Sequence, residues 1–109
     1  MALESRKLEV SRSKWIRGTG PVSTLYNEVG HMNILGFVGR KLGVSGSDLM
    51  FMYSLPDAYP LMHWSEDEVF AFAIIQRIND DPEWTEPERE HLLTQLLGQL
   101  GFSVEFIDG

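Results

Sequence analysis

Lys14, Trp15, Arg17, Gly18 and Gly20 fall in one short segment whose residue types suit the capture of an anion. Two glycines permit φ > 0 and close backbone approach, so successive amides can form a nest around phosphate or carboxylate. Arg17 adds a two-pronged fork, Lys14 a second cation and Trp15 a stacking face. The competing reading is structural. Arg17 then pairs internally with one of many carboxylates, Gly18 and Gly20 make a turn before Pro21, and Trp15 anchors the core. Charge sharpens the contrast: residues 1–20 hold five of the nine Lys/Arg against two acids, a balance of +3, whereas residues 61–109 hold eleven acids and two arginines, a balance of −9.

That acidic half offers the second candidate, a helical face around Glu83, Glu86, Glu88 and Glu90 that suits a basic protein surface. Steering by such a face depends on salt. Weaker constellations have plainer readings. His31, His63 and His91 have neither the i,i+4 spacing nor the companions of a metal site. Glu66, Asp67 and Glu68 suit a helix start, and Asp80 and Asp81 a turn. Ser23, Tyr26 and His31 contain a nucleophile and a base, but no local frame sets them up for catalysis. No catalytic residue, metal ligand or cofactor is therefore assigned. The chain has no cysteine, which excludes disulfides, thiolate metal sites and a Cys nucleophile.

One hundred and nine residues with 43% hydrophobic content fit a single domain, 1–109, able to bury most of its unfolded surface. Periodicity predicts an α+β fold: a short sheet formed with the terminal strands, and about three helices packed on it. Leu8 and Val10 alternate with Lys7 and Glu9, and Phe102, Val104 and Phe106 alternate with Ser103 and Glu105, so each end reads as a strand that needs a partner. Residues 33–42 place Ile34, Phe37, Val38 and Leu42 on one helical stripe that ends at Gly43, and Gly36 and Gly39 within it predict a close neighbour.

Ser47-Asp48-Leu49-Met50 reads as a short capped turn, and residues 54–63, with Pro56 and Pro60, as a loop anchored by Tyr53, Tyr59, Leu61 and Met62. Ser65 with Glu68 and Thr85 with Glu88 are capping boxes that open two further helices. The first runs to about Ile78 and is apolar nearly all round, which predicts a central core position with Phe72 and Ile75 buried. The second carries the stripe Leu92, Leu93, Leu96, Leu97 and Leu100.

Trp15-Ile16-Arg17-Gly18-Thr19-Gly20, then Leu25, Met32-Asn33-Ile34-Leu35-Gly36-Phe37 and Gly43, and later Asn79-Asp80-Asp81, Glu88-Arg89-Glu90 and Val104-Glu105-Phe106, resemble a pattern in small uncharacterised proteins encoded by bacteriophages and prophages. Asn33 and Ile34 stand where that family commonly has cysteines, which removes any thiol role. The resemblance implies no activity. The functional expectation is a non-enzymatic, phage-type accessory protein that binds a host or phage protein through its acidic helical face. The alternative is a binder of a small anionic ligand or nucleotide at the Arg17-Gly18-Thr19-Gly20 loop. The net charge of −7 argues against nucleic acid as partner, no stretch reaches the ~20 apolar residues of a membrane span, a homo-oligomer stays open, and the expected location is the cytoplasm.

Overall fold

Alternation at the two ends of the chain builds the sheet. In a computed structural model, which describes residues 6–58 and 63–108, strand β1 (Arg6–Ser11) pairs with strand β2 (Phe102–Ile107). The pairing is parallel, with Leu8 opposite Val104 and Val10 opposite Phe106. These four residues share one face, turned to the core, while Lys7, Glu9, Ser103 and Glu105 face water. A Lys7–Glu105 ion pair of 3.1 Å crosses that outer face and raises the Lys7 ammonium above its ordinary value, chiefly through the hydrogen bond. A parallel pair cannot be closed by a tight turn, so the whole helical body lies between the two strands.

Among the described residues five α-helices fill that interval: α1 (Ile34–Lys41), α2 (Gly46–Leu49), α3 (Leu55–Ala58), α4 (Glu66–Asp80) and α5 (Glu86–Gln99). The fold is a mixed α+β domain with a two-stranded parallel sheet. Helix α1 packs on β1, α5 packs on β2, and α4 bridges α1 and α5. Local chemistry sets the ends. The Asn33 side chain accepts from the Gly36 amide to start α1, and Gly43 closes its end at φ 94°. Ser65 and Thr85 each form the reciprocal box with Glu68 and Glu88 that the sequence predicts. Ser45 caps α2.

Close packing explains Gly36. A Cβ there would sit 1.9 Å from the Leu25 carbonyl oxygen, so only glycine lets the incoming chain cross α1.

Three expectations change. Helix α3 occupies part of the segment read as loop, because Pro56 sits in a first turn, where no donor is needed, and buried Leu55 anchors it. Tyr53 is no core anchor: it is 56% exposed, and its carbonyl accepts from Gln76 at 2.7 Å. The anchoring expected of Tyr59, Leu61 and Met62 lies outside the described residues. Helix α4 runs two residues past Ile78 and is not buried all round, since Val69 and Phe70 face outward.

Phe72 and Ile75 do lie in the core, with Phe72 at 4% exposure and packed edge-on to Trp64 at 5.3 Å. Phe72→Ala should therefore cost about 3–5 kcal/mol. Urea denaturation checks this, and a loss under ~1 kcal/mol would mean that the inner face of α4 closes over the gap.

Candidate functional site

The candidate loop is built on the C-terminal end of α4. Trp15 is buried against Phe106, with ring centroids 4.9 Å apart, and its indole N–H donates to Asn79 Oδ1 at 2.7 Å. The same Asn79 oxygen accepts from the Ile34 amide at 3.1 Å, and its nitrogen donates to the Ile16 carbonyl at 3.0 Å and to Asp80 Oδ1 at 2.8 Å. Asp80 also accepts from the Ser23 hydroxyl and, at 3.0 Å, from the Ser23 amide. Asn33 completes the cluster, donating from Nδ2 to the Ser23 carbonyl at 3.2 Å. Burial makes these bonds expensive to lose, because no water replaces the partner, with the partly buried Asn79–Ile16 bond the exception. Asn79 and Asp80 thus tie the N-terminal loop, the start of α1 and the end of α4 into one polar hub.

That hub occupies the donors an anion would need. The Gly18 amide donates to the Asn79 carbonyl and the Gly20 amide to the Asp80 carbonyl, each at 2.8 Å. Gly18 and Gly20 do adopt positive φ, 63° and 83°, as the glycine spacing predicts. The conformation serves docking onto α4. At Gly18 there is a second constraint: a Cβ would lie 3.1 Å from Arg89 Nη2.

Arg17 is held by its own chain. Its Nε donates to Glu86 at 2.7 Å, its Nη1 to the carbonyls of Arg12 and Trp15 at 3.0 and 2.9 Å, and its guanidinium lies 4.5 Å above the Trp15 ring. Lys14 remains exposed and forms no ion pair among the described residues.

The acidic face of α5 meets the basic segment of the same chain. Glu90 takes a two-pronged contact from Arg12 at 2.8 and 2.7 Å, and that hydrogen bonding raises the Arg12 guanidinium further above its ordinary value. Glu86 is shared by Arg17 and Arg89. Arg89 is 3% exposed and also donates to the carbonyls of Asp81 and Trp84, at 2.7 and 3.3 Å. Glu88 is spent on its cap: the Thr85 backbone and then its hydroxyl hold the Glu88 carboxyl below its ordinary value. Its contribution to stability is complete above the ordinary carboxylate range and fades as pH falls through the lowered value. Only Glu83 of this group is exposed without a side-chain partner among the described residues.

Arg17 shares a half-exposed carboxylate with Arg89, so its own loss is moderate. Arg17→Ala should cost about 1–2 kcal/mol, and Arg17→Lys somewhat less. Chemical denaturation of the two variants checks the order. A loss above ~3 kcal/mol would mean that Glu86 depends on Arg17 alone.

An open apolar surface lies elsewhere, on the outer side of α4. Phe70 is 69% exposed and Val69 44%, and both line a shallow hollow with Trp64, Glu66 and Ala73. Ala73 also borders a larger hollow of about 550 Å³, where Val22, Tyr53, Gln76 and Arg77 meet the edge of Gly20. Sequence reading missed this surface, because an all-round apolar helix does not say which side stays open. Ser23, Tyr26 and His31 are not assembled: Ser23 is bound to Asp80, and no hydrogen bond joins the three among the described residues. Among the described residues no group of three His, Cys, Asp or Glu converges as metal ligands, and no helix is long and apolar enough to cross a membrane. Compared with protein-family models, curated proteins and solved structures, the chain matches none.

Proposed function

We propose that this is a non-enzymatic binding protein, of the phage accessory kind its motifs resemble, that works in the cytoplasm by holding another protein against the outer face of α4. The observation that carries the reading is the exposure of Phe70 beside Val69 and Ala73, in a chain whose arginines Arg12, Arg17 and Arg89 are already matched by their own carboxylates. Adjacent exposed apolar side chains of this size mark contact surfaces more than scattered single ones do. The acidic half keeps a role in this reading. Glu83 and the net charge of −7 steer a basic partner, while the apolar face supplies the hold.

The test is affinity capture from the native host with wild type, Phe70→Asp and Glu83→Gln, each first shown to melt normally. Phe70→Asp should lose the captured protein and Glu83→Gln should retain it with a smaller dependence on salt. Retention by Phe70→Asp would remove α4 from the reading.

A second reading, a small anionic ligand, moves from the loop amides to the larger hollow. There Arg77 is exposed and has no ion pair among the described residues. Thermal shift with inorganic phosphate and with nucleotides, on wild type and Arg77→Gln, separates the two: stabilisation that needs Arg77 favours the ligand.

A further inference from the structure

We infer that the outer face of α4 binds a second copy of this chain, the two helices lying antiparallel about a twofold axis. The inference rests on the role proposed above for the outer face of α4 and names an occupant selected by the charges of that face itself, so it does not draw on the basic partner that Glu83 and the net charge would steer. Glu66, Phe70, Ala73 and Arg77 follow one another at separations of four, three and four residues. At 3.6 residues per turn this spacing puts all four on one stripe, roughly 16 Å from the first to the last. All four are exposed.

Neither Glu66 nor Arg77 has an ion pair among the described residues, in contrast to Glu86 and Glu90. The row is therefore acidic at its N-terminal end, basic at its C-terminal end and apolar between.

Turning a copy of this row end for end makes it match itself. The pairs Glu66 with Arg77 and Phe70 with Ala73 share one midpoint, between Ala71 and Phe72. A single twofold axis through that point sets each Glu66 against the partner's Arg77 and each Phe70 against the partner's Ala73. Opposite charges meet twice, and a large side chain meets a small one twice. The hollow bordered by Ala73, Tyr53 and Val22 lies beside the Ala73 half of the row and has about 550 Å³ to receive a phenyl ring.

A parallel arrangement would oppose Glu66 to Glu66 and lose the match. An unrelated partner needs no such symmetry, so the self-complementary order of charge and size is what selects a second copy.

Charge exchange tests the pairing on the full chain. Sedimentation equilibrium over a concentration series should give a reversible dimer for wild type. Phe70→Ala should weaken it at least about 30-fold, as for a central hot spot. Glu66→Arg and Arg77→Glu should each be monomeric at concentrations where wild type is dimeric, because each sets like charges together twice. Mixing the two single variants should give a heterodimer, since one chain then brings only arginines to the ends of the row and the other only glutamates, and both contacts join opposite charges. The double variant should regain self-association. Circular dichroism melts establish that each variant is folded.

Should Glu66→Arg fail to fold, a spin label at Ala73→Cys in wild-type background reads the same geometry, as a short label-to-label distance. Wild type that stays monomeric throughout overturns the homodimer. If Phe70→Asp still abolishes capture of a host protein in that case, the binding face survives and only the identity of its partner falls. A dimer indifferent to Phe70 and to both charge changes overturns the α4 pairing, and so does a mixture of single variants that does not associate.

Discussion

Asn79→Leu should unfold the protein or leave it barely folded at room temperature. Leucine matches asparagine in branching and heavy-atom count and suits a helix, so neither a cavity nor a helix penalty dominates. The damage comes from three groups left without partners, two of them buried and the third, the Ile16 carbonyl, partly so. These are the Trp15 indole N–H, the Ile34 amide and the Ile16 carbonyl, each bound to Asn79 in the native protein. An orphaned buried polar group costs about 1–3 kcal/mol, which puts the sum at no more than about 3–9 kcal/mol against a total of about 5–15 for an ordinary domain. Trp15 is part of the hub, so its fluorescence in a urea titration reports the loss directly. A midpoint shift smaller than that of Phe72→Ala would mean that water enters and satisfies the three groups.

The legible parts of this fold were those encoded within a few residues. Ser65 with Glu68 and Thr85 with Glu88 are three apart, and both boxes form as the spacing predicts. Alternation at Leu8–Val10 and Phe102–Phe106 predicts two strands in one sheet, and they pair. It does not predict their direction, because a period of two reads the same in a parallel and an antiparallel pair. Crowding at Gly36 was visible as a glycine where a helix would favour alanine. The carbonyl that fills its place, Leu25, lies in a loop whose path no local pattern fixes.

The site was harder for a related reason. Asn79-Asp80-Asp81 carries strong turn chemistry, and burial of Asn79 and Asp80 follows from which loop folds over them, a long-range matter. The basic segment and the acidic helix were both conspicuous, yet composition does not reveal that they face each other. Arg12 meets Glu90 across 78 positions, and Arg17 meets Glu86 across 69. Phe70 was the residue whose position decided most and whose type said least. A phenylalanine in an apolar helix points inward by default, and only the packing of α4 against α1 and α5 leaves it outside.

Deleting residues 102–109 should abolish cooperative folding. Strand β2 supplies every ladder partner of β1, from Phe102 opposite Arg6 to Ile107 opposite Ser11, so removal leaves a row of β1 donors and acceptors unpaired beside the core. Phe102, Val104 and Phe106 leave with it, each worth about 1.5–3 kcal/mol when buried, and together about 5–8. Phe106 also gives Trp15 its aromatic contact, and Asp108 accepts from Ser11 and Arg12, so the start of the anchored loop is released as well. Because Trp15 binds Asn79, that release reaches the polar hub, and the damage does not stop at the sheet. The sum is comparable with the stability of a typical domain, about 5–15 kcal/mol. Phe106→Ala tests the same chain of contacts more gently, with an expected cost of about 3–5 kcal/mol and weakened near-ultraviolet dichroism from Trp15. A truncated chain that melts cooperatively near the full-length temperature would show that α1, α4 and α5 hold together without the sheet, and that β1 needs no partner.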